Sequence, residues 1–136
     1  MASLLYDKGR EGFGNAAINF PSDDVRICFV DTADYTLNAS THDFLDDVAA
    51  GGRVATSSAS LANKTNTAGV MDADDHTINS VSGDQFEAIV MFKHTGTDAT
   101  ARLIAYIDSY TGLPCTPNGG NITVSWPNDS NKIFKL

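Results

Sequence analysis

Fifteen of the seventeen acidic residues in this chain are Asp, and only Glu11 and Glu87 are Glu. That asymmetry constrains the fold more than any single motif. Glu extends a helix at little cost, whereas Asp hydrogen-bonds nearby backbone donors and is favoured at caps and turns. Thirteen Thr, eleven Ser, ten Asn and eleven Gly push the same way, so the sequence predicts short strands joined by many turns, with little helix. At 136 residues the chain makes one domain. A domain of this length buries roughly 68% of the surface its unfolded chain exposes, which is enough for a core without a disulfide or a metal.

The net charge is −8, and the nine basic residues are scattered. Phosphate binding needs clustered Lys and Arg, so nucleic acid is not expected as a partner. No run approaches the ~18 apolar residues of a membrane span, and Met1 to Asp7 has neither a cationic nor an apolar leader segment. The expectation is a soluble chain made in the cytoplasm, with no membrane partner.

Residues 1–20 read as an N-terminal arm or marginal helix, because Gly9, Gly12 and Gly14 each cost up to ~1 kcal/mol in a helix interior. Residues 21–136 read as a single β-rich domain. Val25 to Val30 is a strand covered on both faces, with Ile27, Cys28, Phe29 and Val30 in one apolar run. Thr41 is placed to cap a short helix over about 41–48. Arg53 to Thr56 is a candidate strand, and the polar tract on to Thr67 reads as a long exposed loop. From Gln85 to His94, Phe86, Ala88, Val90 and Phe92 mark a core face, with Glu87, Ile89 and Met91 on a partly covered one. Ala101 to Asp108 follows as the second arm of a hairpin. Ile122, Val124 and Trp126 alternate with polar residues, which places Trp126 in the core. Ile133 to Leu136 reads as an apolar end docked in a sheet or on a neighbour. The fold class expected is mainly β: an antiparallel β-sandwich or small barrel with a short N-terminal arm or helix.

Candidate chemistry is sparse. Cys28 and Cys115 lack metal or redox spacing and read as two free thiols. Asp72, Asp74, Asp75 and His76 form an acidic knot, but an EF-hand starting at Asp72 needs Gly where Thr77 stands and Glu where Gly83 stands. Asp31-Thr32-Ala33 resembles the Asp-Thr-Gly signature of retroviral-type aspartic proteases, with Ala33 in place of the glycine that permits the tight turn. Ser57, Ser58 and Ser60 lie in a polar tract with no nucleophile elbow. Gly9, Gly12 and Gly14 lack the strand–helix context of a nucleotide loop. The expectation is no catalytic residue, no cofactor, no metal, and a protein that is not an enzyme.

Longer stretches carry a resemblance. They are Leu5-Tyr6-Asp7-Lys8-Gly9-Arg10-Glu11, Val30-Asp31-Thr32-Ala33-Asp34-Tyr35-Thr36, His94-Thr95-Gly96-Thr97, Leu103 to Asp108, Thr111-Gly112-Leu113-Pro114, Thr116 to Gly120 and Asn131 to Leu136. Together they resemble a family of small virion-associated proteins of tailed bacteriophages, over nearly the whole chain. The resemblance implies a structural virion protein. Its favoured form is a capsid decoration, or cement, protein: small, β-rich, often a homotrimer, bound to major capsid protein on the outer surface of the head. A tail or head-fibre component is the alternative within that family. Outside it, a module binding host-surface glycans would be marked by exposed aromatics at Tyr35, Tyr110 or Trp126. The apolar residues near the two ends, Leu4, Leu5, Tyr6, Phe13, Phe134 and Leu136, are the expected contacts with the capsid or with other copies.

Overall fold

The computed structural model describes residues 3–136. In chain order it contains β1 (Leu4–Leu5), α1 (Asp7–Gly14), β2 (Val25–Val30), β3 (Arg53–Thr56), β4 (Thr65–Thr67), β5 (Val70–Asp72), β6 (His76–Ile78), β7 (Ala88–Lys93), β8 (Leu103–Ile107), β9 (Ile122–Val124) and β10 (Phe134–Lys135). The main sheet is antiparallel throughout, in the order β1-β8-β7-β2-β3, with smaller sheets β10-β5-β4 and β6-β9. This is a mainly β, sandwich-like fold with one α-helix.

Every residue of β8, and all of β7 except Lys93, is buried. The alternation along β7 divides these side chains between two cores. Ile89 and Met91 join Ile27 and Phe29 on one face, which the small sheets cover through Met71, Ile78, Val124 and Phe134. Ala88, Val90 and Phe92 join Cys28 and Val30 on the other, covered by Tyr6, Tyr35, Leu45 and Val48. The expected half-covered face is therefore corrected, since Ile89 and Met91 are as buried as their neighbours. A strand sealed on both sides has no reason to alternate apolar with polar, which is why β2, β7 and β8 read as continuous apolar runs.

Other local expectations change for identifiable reasons. The helix near 41–48 is one 3-10 turn, Leu45–Asp47. It is closed by Asp47, whose Oδ2 accepts the Asp43 N–H at 2.8 Å, and not by Thr41. The polar tract after β3 is not a free loop. Ser57 N–H and Leu61 N–H donate to the carbonyls of Ile27 and Val25 at 2.8 Å each, extending the edge alongside β2 and burying Ser57 and Leu61. The β4–β5 hairpin turns on Ala68 and Gly69, both at positive φ (52° and 83°). That is the arrangement of a two-residue type I′ turn.

The N-terminal segment lies on the chain's own sheet. Leu4 and Leu5 pair with Tyr106 and Ala105, and α1 then packs over β8 so closely that an added Cβ at Gly9 would lie 2.8 Å from the Leu103 carbonyl oxygen. Gly9, which weakens the helix on its own, is what admits it to the sheet.

Candidate functional site

The six apolar residues expected to make contacts separate into two groups. Tyr6 and Phe134 are 0% and 4% exposed, so the structure gives them internal roles. Leu4 packs against the core containing Tyr6. Leu5, Phe13 and Leu136 converge on one surface where α1 meets β10, with Leu136 at 51% exposure. Beneath them Phe13 tilts against Phe134 at 5.9 Å, and Phe134 meets Phe20 edge-on at 5.8 Å. Two shallow grooves flank this patch, of about 500 Å³ beside Arg10 and Lys135 and about 320 Å³ beside Phe20 and Met71.

A buried hydroxyl chain runs inward from the surface on the opposite face of the sheet. Asn38 N–H donates to His42 Nδ1 at 3.3 Å, which makes that nitrogen an acceptor, so Tyr35 donates its hydroxyl to it at 2.8 Å. Tyr35 Oη in turn accepts the Tyr6 hydroxyl at 2.8 Å. Burial pushes the Tyr35 phenol up to about 12 and Tyr6 further above the ordinary phenol range, so both stay neutral. The order of donation predicts an asymmetry. Tyr35→Phe strands the Tyr6 hydroxyl without an acceptor and should cost about 1–3 kcal/mol, whereas Tyr6→Phe leaves Tyr35 bonded to His42 and should cost about 1 kcal/mol. Urea unfolding of the two variants checks this, and a larger loss for Tyr6→Phe would reverse the assigned direction.

Ser57 and His76 form a pair that no sequence spacing announces. His76 belongs to the acidic knot and Ser57 to the polar tract, yet Ser57 Oγ lies 2.7 Å from His76 Nε2. It resembles a nucleophile and its base, but the hydrogen bonding runs the other way. The Ala59 carbonyl can only accept, and Ser57 donates to it at 2.5 Å. His76 Nε2–H must then donate to Ser57, which leaves the imidazole no proton to take. The pair ties β6 to the segment after β3.

Burial holds His76 below its ordinary value of 6.5. Below that pH the unfolded chain takes up a proton that the folded one resists. This contribution to stability is thus complete above about pH 6.5 and is lost as pH falls toward the folded-state value. His76→Gln keeps a donor for Ser57 and removes the titration, so its stability should fall less than that of the wild type between about pH 7 and pH 5. Denaturant midpoints at the two pH values read the difference.

The remaining candidates are structural ties. Asp74 accepts from Asn63 through its side chain and from Trp126 Nε1 through its carbonyl, and Asp75 accepts the Trp126 backbone N–H. Asp31 Oδ1 accepts the Ala33 N–H and closes the turn after β2. Carboxylates gather elsewhere, as Asp31, Asp34 and Asp84 and as Asp43, Asp46 and Asp47, each set within 4.8 Å. Cys28 and Cys115 are free thiols, and burial pushes Cys28 up to about 11. No helix among the described residues is long and apolar enough to cross a membrane. Neither a protein-family model nor a curated protein matches this chain.

Proposed function

We propose that the chain is a structural protein of a tailed-bacteriophage virion, acting as a capsid decoration protein that binds the outer surface of the assembled head without bond chemistry. The observation that carries this reading is the apolar surface where exposed Leu136 meets half-buried Leu5 and Phe13 beside two grooves, on a chain whose net charge is strongly negative. Such a patch on a small, rigid β fold suits docking to a preformed surface. The resemblance along the chain supplies the partner, major capsid protein, and a homotrimeric arrangement on the shell. A ligand that binds the assembled shell and not its separated subunits stabilises the shell by mass action.

Removing residues 1–20 would take Tyr6 out of the core, so a point substitution is the cleaner test. Leu136→Asp should leave the fold intact and weaken binding to heads lacking the protein at least tenfold, a loss of about 1.4 kcal/mol or more. A density map of purified virions should show the chain as trimers on the shell. Density at the tail, or undiminished binding by Leu136→Asp, would overturn the reading.

A further inference from the structure

Of the three aromatics that could mark a sugar site, Tyr35 and Trp126 are 4% and 8% exposed. Tyr110 alone stays at the surface. It follows β8, packs partly on the larger core, and opens on a cleft of about 560 Å³ formed with Gly112, Ser125 and Pro127. That volume falls in the range of roughly 300–1,000 Å³ typical of small-molecule clefts.

Three features show how the cleft is held. The Ser125 N–H donates to Tyr110 Oη at 3.0 Å, fixing the ring between the segments that follow β8 and β9. Gly112 lies against the ring, and a Cβ there would approach Tyr110 Cε1 to 3.0 Å, so the missing side chain keeps that space open. Asp129 Oδ1 accepts the N–H groups of Asn131 and Lys132 at 2.9 Å each, which orients the carboxylate at the rim.

We propose that this cleft binds a neutral pyranose. Tyr110 and Pro127 offer apolar surfaces to the C–H face of a sugar ring, and Thr111 and Ser125 supply hydroxyls that both donate and accept. Among the described residues, no Lys or Arg lines the cleft. With Asp129 at the rim and a net charge of −8, an anionic ligand is disfavoured. A purely apolar ligand would desolvate the Thr111 and Ser125 hydroxyls without replacing their water. A ring with one apolar face and a hydroxylated edge satisfies both kinds of wall. The inference does not depend on the virion reading, because the cleft is separate from the Leu5–Phe13–Leu136 patch.

The test is an amide-resonance titration of the full chain with methyl glycosides of glucose, galactose, mannose, rhamnose, N-acetylglucosamine and N-acetylgalactosamine, with oligoproline as a parallel probe. At least one glycoside should shift the amides of 109–112 and 125–129 with a millimolar dissociation constant. Gly112→Leu, which fills the space beside the ring, should weaken that binding at least tenfold while the amide resonances of β2 and β7 stay at their wild-type positions, showing the fold retained. Tyr110→Phe, which releases the ring from Ser125, should weaken it less. The proposal is overturned if no glycoside shifts these amides, if Gly112→Leu binds as tightly as the wild type, or if only oligoproline shifts them.

Discussion

Gly9→Ala should destabilise the protein by about 3 kcal/mol, at the upper end of the usual cost of overpacking, although helix propensity alone assigns Ala a gain of up to ~1 kcal/mol at such a site. The reversal follows from what the methyl would meet. An added Cβ lies 2.8 and 2.9 Å from the carbonyl oxygens of Leu103 and Ile104 and 3.1 Å from Ile104 Cα. These are backbone atoms of a strand hydrogen-bonded to β1 on one side and β7 on the other, so they cannot rotate away as a side chain would. The helix has to lift, and lifting it loosens Tyr6, which begins the buried hydroxyl chain, and uncovers Ile18. Gly14→Ala in the same helix is the control. Nothing lies within 4 Å of its added Cβ, so it should be neutral or stabilising by a few tenths of a kcal/mol. Thermal unfolding reads both: a fall of roughly 10 °C for Gly9→Ala beside no fall for Gly14→Ala. A Gly9→Ala variant that melts with the wild type would mean that α1 does not sit this close to β8.

The same helix shows where the sequence is legible and where it is not. Local chemistry marks Gly9 and Gly12 as helix-weakening, which is correct for the isolated segment, but the strand backbone that Gly9 admits comes from residues 103–104, far along the chain, and Gly12 makes room for the side chains of Ile18 and Arg102. The strands that could be read, β2, β3, β7, β8 and β9, are bounded by turn residues, and most carry their own signal as apolar runs or alternation. Those that could not are β1, read as part of an arm or helix, and β4, β5 and β6. Thr65–Thr67 is fully exposed, so no burial pattern is written into it, and its hairpin turns on Ala-Gly in place of the more recognisable Asn-Gly. Asp72 and Asp75 disguise the strands that flank them, because Asp ordinarily signals a turn. Two-sided covering was legible for β2, whose apolar run is unbroken, but the covered second face of β7 was not. Alternation tells which residues share a face, but not whether anything covers the second face.

Side-chain sites were less legible than strands, since they are built by residues distant in sequence. Ser57 and His76 are nineteen residues apart, and Tyr6 and Tyr35 twenty-nine. Single-residue chemistry named His76 and Tyr35 without naming their partners. Likewise, composition identified apolar excess near both ends of the chain, yet only the packing of Phe13 on Phe134 shows that the two ends form one surface. Tyr110 could be named as an aromatic, but its cleft depends on Ser125 and Gly112, whose part lies in a backbone N–H and a missing side chain.

Phe86→Ala should cost about 3–5 kcal/mol, the range for removing a buried ring from a core. Phe86 is 2% exposed and stacks on Phe29 with centroids 4.2 Å apart and planes within 2°. The stack does more than fill volume. Phe86 and Cys115 exchange both backbone hydrogen bonds, at 3.0 and 2.9 Å, so the ring anchors the segment on which Tyr110 and Gly112 lie. Loss of the ring leaves that bridge held by its two backbone bonds, the Gln85–Thr116 side-chain bond and the partial packing of Leu113 and Cys115. A melting temperature lower by roughly 10–20 °C is expected, together with faster amide hydrogen exchange over 109–116 than over β2 and β7, because local opening follows the weakest-packed unit. Phe86→Leu, which retains most of the apolar volume but not the stack, should fall between, at roughly 1–2 kcal/mol. Phe29→Ala removes the same stack from the other side, so the double variant should lose less than the two single losses added together. Strict additivity would show that the rings act independently. Unchanged exchange over 109–116 in Phe86→Ala would separate the cleft from the core beneath it.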